Sequence, residues 1–181
     1  MAKTYNTVAD RAAGDLFTEA MWDDSLKTNL NNLVIPCVVY AFDVTATVAI
    51  TTATWTAVAF ASADAFDSDT MHDPAVTNTR ITINTAGIYL ITGRVEFAVS
   101  NTGTYREAGI RKNGTVFLDV DRQIPNATLG PRLRPGIVQN FIATDYVELV
   151  VRHDVGANLN IVADGTGIYP SLSAVWLGKP A

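Results

Sequence analysis

From Tyr89 to Val99 apolar residues recur at every second position, with Tyr89, Ile91, Gly93, Val95, Phe97 and Val99 set against Thr92, Arg94 and Glu96. Successive side chains of a strand point to opposite faces, so this stretch predicts one core face and one partly polar face. The same alternation returns where Val147, Leu149 and Val151 oppose Glu148 and Arg152, and where Ile81 and Ile83 flank Thr82. Ile137 to Ile142 is a further apolar run of strand length. Between these runs stand Asp67-Ser68-Asp69, Asn101-Thr102-Gly103, Asn113-Gly114, Pro131, Pro135-Gly136 and Asp164-Gly165-Thr166-Gly167. Many short strands with turn signals at such spacing predict a sandwich or barrel. Asn113-Gly114 is the strongest hairpin signal, because a type I′ turn needs positive φ at both central residues. The Ala/Thr/Val-rich stretch Val44 to Ala63 reads as two short strands, Thr47 to Thr51 and Trp55 to Ala59, with a turn at Thr52-Ala53-Thr54.

Residues 1–35 read differently. Thr18 is a candidate N-cap, and Glu19 suits the positive end of a helix. Trp22, Leu26, Leu30 and Leu33 then follow at spacings that place them on one narrow helical stripe. Pro36 ends any helix and biases Ile35 towards extended backbone. The expected organisation is an N-terminal arm and helix over 1–35 and an all-β head over 36–181. A short helix with one apolar stripe cannot stand alone, so the stripe predicts packing on its own head, against two symmetry mates, or on a docking partner.

Charge and composition exclude several roles. Thirteen Lys and Arg against eighteen Asp and Glu give a formal charge of −5, which argues against general nucleic-acid binding. No run is apolar enough for membrane insertion, and the first residues lack a secretion-signal pattern, so a soluble product made in the cytoplasm is expected. The single Cys37 lies in the apolar run Val34 to Phe42 and reads as a buried, inert thiol. A hydrophobic fraction of 48% beside a charged fraction of 17% suits a chain whose outer faces are partly covered by partners.

Catalytic chemistry finds little support. His72 and His153 are each followed by Asp, but no serine elbow or metal-site spacing accompanies them. Both are expected in solvated loops. Asp64, Asp67, Asp69 and Asp73 form the densest carboxylate cluster, a candidate ligand or ion loop. It lacks the glycine and terminal glutamate of an EF-hand, so its aspartates are expected to make Asx turns. Asp119 and Asp121 share one face of a strand and read as a solvated edge rather than a glycosidase pair. Tyr105 and Phe117 are candidate exposed aromatics. No cofactor is implied.

Four motifs stand in order: Ala86-Gly87-Ile88-Tyr89-Leu90-Ile91, Arg111-Lys112-Asn113-Gly114-Thr115, Ala143-Thr144-Asp145-Tyr146-Val147-Glu148-Leu149, and Ser171-Leu172-Ser173-Ala174-Val175-Trp176-Leu177-Gly178. Over roughly residues 37 to 179 their order and spacing resemble the heads of the complement first-component q subunit and tumour-necrosis-factor superfamily. The family's Gly-Asp is Thr144-Asp145 here, a departure at the turn before a strand. The resemblance implies an antiparallel two-sheet jelly roll, a homotrimer and no enzyme. The apolar strands from Phe141 to Val151 would suit the trimer interface, with Phe141, Tyr146, Val147 and Leu149 as its candidates.

A second resemblance lies in Gly14-Asp15-Leu16, Thr18, Ala20, Trp22-Asp23, Asn29-Leu30 and Leu33, which are similar to a leader on tailed-phage virion proteins. It implies a structural virion protein displayed as a trimer on the particle, a capsid decoration or short head fibre, with Trp22, Leu26, Leu30 and Leu33 as docking residues. Its partners would be other virion proteins. The alternative is a tail or baseplate adhesin whose head binds a host surface glycan or protein.

Overall fold

The computed structural model describes residues 36–45, 47–164 and 167–179, with the isolated positions Lys27 and Leu30. The expected N-terminal helix, with Trp22, Leu26 and Leu33, lies outside the described residues. Leu30 is 51% exposed.

The chain forms two facing antiparallel sheets. In the first, β10 (Gly136–Phe141), β6 (Gly87–Glu96), β13 (Ser171–Gly178), β1 (Val38–Phe42) and β4 (Phe66–Asp67) lie in that order, and β9 (Arg132–Leu133) pairs with the far end of β6. In the second, the order is β3 (Thr56–Ala57), β11 (Tyr146–His153), β7 (Arg106–Lys112) and β8 (Val116–Gln123), with β5 (Ile81–Thr82) against the start of β11. A small third sheet pairs β2 (Val48–Ile50) with β12 (Leu159–Ile161). The two strands read from the Ala/Thr/Val-rich stretch are therefore shorter than expected. They do not pair with each other, since β2 joins β12 and β3 joins β11.

Alternation builds the core. Val39 and Ala41 of β1, Tyr89, Ile91 and Val95 of β6, and Leu172 and Ala174 of β13 meet Ala108 and Ile110 of β7 and Val147, Leu149 and Val151 of β11. Gly93 continues the inward row of β6. A Cβ there would lie 2.7 Å from Leu149 Cδ1 and 3.3 Å from Ile110 Cδ1, so the opposite sheet fills the space a side chain would need. Cys37 is buried in this core.

Two aspartates join the sheets at one edge. Asp119 Oδ2 accepts from Gly136 N and Asp121 Oδ2 from Arg134 N, each at 2.8 Å. This corrects the solvated-edge reading, because β8 carboxylates satisfy backbone donors of the segment leading into β10. On the outer face of the second sheet, Glu107 is buried between Arg122 and Arg152, with Tyr105 beneath both guanidiniums. Arg152 also covers Trp55, whose ring packs on Phe117 at 4.8 Å.

The turns follow their residues. Asn113 and Gly114 have φ of 50° and 70°, and Thr115 N donates to Lys112 O at 3.1 Å, the type I′ pattern. At the motif departure, Thr144 takes φ 76° while Asp145 N bonds Ile142 O at 3.2 Å. A positive φ at the third turn position is the type II geometry that favours glycine. The turn is retained with a β-branched residue in it.

Candidate functional site

The outer face of the first sheet carries a surface of graded chemical character, and strand register defines it row by row. Val38 pairs with Val175, Val175 with Leu90, and Leu90 with Val138, giving one apolar row across β1, β13, β6 and β10. Val138 is 54% exposed, and the other three are half-buried. Two residues along each strand, Tyr40, Ser173, Thr92 and Gly136 form a second row, in which the Thr92 and Ser173 hydroxyls bond at 2.6 Å. The third row is Phe42, Ser171 and Arg94. The face thus grades from aliphatic, through hydroxyl, to cationic.

An aromatic ridge borders the hydroxyl and cationic rows. Tyr40 packs on Phe42 at 5.7 Å and on Phe66 at 6.0 Å, and Phe42 packs on Tyr169 at 5.5 Å. Arg94 lies over the Tyr169 ring at 5.1 Å and donates through Nη2 to Gly167 O. A side-chain hydrogen bond between Tyr169 and Tyr40, with the Tyr40 charge, raises the Tyr169 pKa above its ordinary value. Small residues leave a groove of about 400 Å³ beside the ridge, lined by Tyr40, Thr92, Arg94, Arg134, Ser171 and Ser173.

The loops at the Glu96 end of the sandwich are held by a buried cation. Arg106 is fully buried; Nη1 donates to Tyr105 O at 2.8 Å, and Nη2 to Thr102 O at 2.8 Å and Ser100 O at 3.4 Å. Burial lowers its pKa. Asp154 fastens the same loop by accepting from Thr104 N, Thr104 Oγ1 and Tyr105 N. Partial burial raises the Asp154 pKa, but these bonds outweigh it and hold the carboxyl at about 2. Val99, Ile124 and Leu129 are exposed at this end, beside an open hollow of about 760 Å³ lined by Glu96, Gln123, Asn126 and Arg132.

The sequence-predicted residues fall elsewhere. Phe141, Val147 and Leu149 are buried in the protomer's own core, and only Tyr146 among the four interface candidates keeps a half-open side chain, with Arg80 over its ring. This corrects the assignment of Phe141, Val147 and Leu149 to a subunit interface: alternation marks a buried face without saying what buries it. Both histidines are also buried, against expectation. His153 Nε2 bonds Ile50 O at 2.8 Å and Nδ1 receives Val155 N–H, while His72 Nδ1 meets Asp64 Oδ1 at 2.8 Å.

The acidic loop is organised by its own backbone. Asp67 accepts from Asp69 N and His72 N, Asp69 from the Thr85 hydroxyl, and Asp73 from Ala75 N and Val76 N. Burial raises the Asp64 pKa, partly countered by His72. Among the described residues no three His, Cys, Asp or Glu side chains converge as a metal site. Val38, Leu90, Val138, Val175, Arg94, Arg134 and Ser171 were not singled out from sequence, because their grouping is a property of cross-strand register. The only local signal was the alternation of Val38, Tyr40 and Phe42.

No protein-family model matches the chain, and no curated protein matches it by sequence. Solved structures do match by shape. The globular domain of zebrafish complement 1qA protein superposes with a TM-score of 0.55 at 10% identity, covering 79% of this chain and 98% of that one. Murine APRIL at pH 5.0 superposes with a TM-score of 0.56 at 12% identity, and at pH 8.5 with 0.55 at 14%, each covering 77% of this chain and 98% of the other. The fold is therefore the two-sheet jelly roll shared by the complement 1q and tumour-necrosis-factor heads.

Proposed function

We propose that this protein is a non-enzymatic structural head that assembles as a homotrimer on a tailed-phage particle, as a capsid decoration or short head-fibre protein. The observation that carries the assembly is the apolar row Val38, Val175, Leu90 and Val138, with Val138 exposed and the other three half-buried, on the outside of a sheet whose inside already holds the core. Exposed apolar rows of this kind, beside an aromatic ridge, are the composition of subunit contacts. The association surface is thus the outer face of the first sheet, in place of the buried strand residues expected from sequence. The particle assignment rests on the leader-like segment at Trp22-Asp23 and Asn29-Leu30.

Light scattering tests the assembly. Three chains of 19.4 kDa give about 58 kDa. Leu90→Arg puts a charge where the row would be desolvated and should yield a monomer with the fold retained. A wild-type monomer at micromolar concentration would refute the trimer. Co-sedimentation with particles tests the location: Trp22→Ala should release an intact head, and a variant still particle-bound would remove the docking role. The adhesin reading is favoured by one observation, the exposed Val99, Ile124 and Leu129 around the open hollow at the Glu96 end. It predicts that host-cell binding is lost on Ile124→Asp or Leu129→Asp rather than on Trp22→Ala.

A further inference from the structure

We propose that Asn113-Gly114 is a site of spontaneous chemical modification, at which conversion of the Asn113 amide to an acid irreversibly unlatches the β7–β8 hairpin from the turn before β11. It is the only Asn-Gly pair in the sequence. Asn113 is exposed at the hairpin tip, and the hairpin belongs to the second sheet, not to the face proposed above for subunit contact. Asparagine is a thermolabile residue, and a following glycine has no Cβ to shield its backbone nitrogen. That nitrogen attacks Asn113 Cγ; the N–Cγ bond closes a five-membered imide, and the Cγ–Nδ2 bond breaks with loss of ammonia. Water then opens the ring at one of its two carbonyls. One opening leaves aspartate, and the other leaves isoaspartate with an extra methylene in the main chain.

The closed turn holds this reaction back. With φ of 50° at Asn113 and 70° at Gly114, the turn is type I′, in which the first central ψ is about 30°. At that ψ the Asn113 Cβ and the Gly114 nitrogen stand nearly opposite about the Cα–C bond, whereas the imide needs them nearly eclipsed. The amide is also pinned at both ends: Nδ2 donates to Asp145 Oδ1 and Oδ1 accepts from Tyr146 N, each at 2.8 Å. Modification therefore proceeds from the opened turn, at a rate set by how often it opens.

The product cannot close the latch again. Asp145 is 5% exposed and also accepts from Ile142 N at 3.0 Å and pairs with Lys112 Nζ at 2.7 Å. Burial raises its pKa, but the bonds from Lys112, Asn113 and Ile142 outweigh burial and lower it, so this carboxyl is ionised. A carboxylate at position 113 puts a negative oxygen where Nδ2 had donated to Asp145 Oδ1, and a hydrogen bond becomes a repulsion. Isoaspartate further lengthens a turn closed by the bond from Thr115 N to Lys112 O. Because Ile83 N bonds Asp145 O, the disturbance reaches the segment after β5 as well.

The full-length protein is incubated at mildly alkaline pH, folded and in guanidinium, and conversion at residue 113 is followed by peptide mapping and by enzymatic methylation of isoaspartate. Asn113 should convert in both states, about tenfold or more slower in the folded one. Asn113→Asp, which reproduces the charge alone, should melt about 3 °C or more below the wild type. Asn113→Asp/Asp145→Asn exchanges donor and acceptor across the same contact and should recover about half of that loss or more. Equal rates in the two states, or a folded protein still unconverted after about a hundred half-times of the unfolded chain, would overturn the gated site. An Asn113→Asp protein that melts like the wild type, or a double variant no more stable than Asn113→Asp, would overturn the latch.

Discussion

Thr144→Gly should make the protein more stable, because the native residue is poorly suited to its backbone. Its φ of 76° lies in the left-handed region, and its side chain is exposed with no hydrogen bond among the described residues. A non-glycine residue there costs about 1–2 kcal/mol, with branching at Cβ favouring the upper end. Glycine removes that cost but adds freedom to the unfolded chain worth roughly 0.5–1 kcal/mol. The backbone bonds of the turn, Asp145 N to Ile142 O and Thr144 N to Ile83 O, survive the change. The net expectation is a gain of about 0.5–1 kcal/mol, or about 1–4 °C in melting temperature for a domain of this size. Calorimetry supplies the measurement, and Ala143→Gly the control. Ala143 has an ordinary negative φ, so glycine there should lose up to about 1 kcal/mol. If Thr144→Gly melts at or below the wild type, or if the two variants behave alike, positive φ is not the source of strain at this turn.

Two further outcomes follow from the hydrogen bonding and the core. Asp154 titrates at about 2 in the folded protein against 3.8 for a free side chain, so its contribution is complete above about pH 4 and is lost as pH falls through 2. Asp154→Asn should therefore flatten the acid limb of a urea-midpoint profile, and an unchanged limb would count against the Thr104 clasp. A truncation beginning at Pro36 should remain β-rich and melt cooperatively, since the core is drawn from Cys37 to Ala174; loss of folding in circular dichroism would mean that the Trp22 stripe belongs to that core.

The fold was legible in sequence to the extent that local rules determine it. Alternation placed Tyr89, Ile91 and Val95 on the inner face, and Asn113-Gly114 marked the hairpin between β7 and β8. What escaped was decided between strands. The row Val38, Val175, Leu90 and Val138 is spread over four segments far apart in the chain, and no window of sequence contains it. Val147, Leu149 and Val175 are similarly apolar and similarly spaced, yet the first two face the core and the third faces outward. His153 and Asp119 look like loop and edge residues until the Ile50 carbonyl and the Gly136 amide are seen beside them.

Asp119 and Asp121 have a consequence beyond closing the sandwich. A sheet border with open amides is a template on which another chain can add a strand, and crowded copies make that encounter frequent. By occupying the amides of Arg134 and Gly136 with carboxylates, the molecule places fixed negative charge where an incoming backbone would have to hydrogen-bond. The arrangement works as a guard against strand addition at this border, because a second backbone would find these two amides taken and a carboxylate in its way.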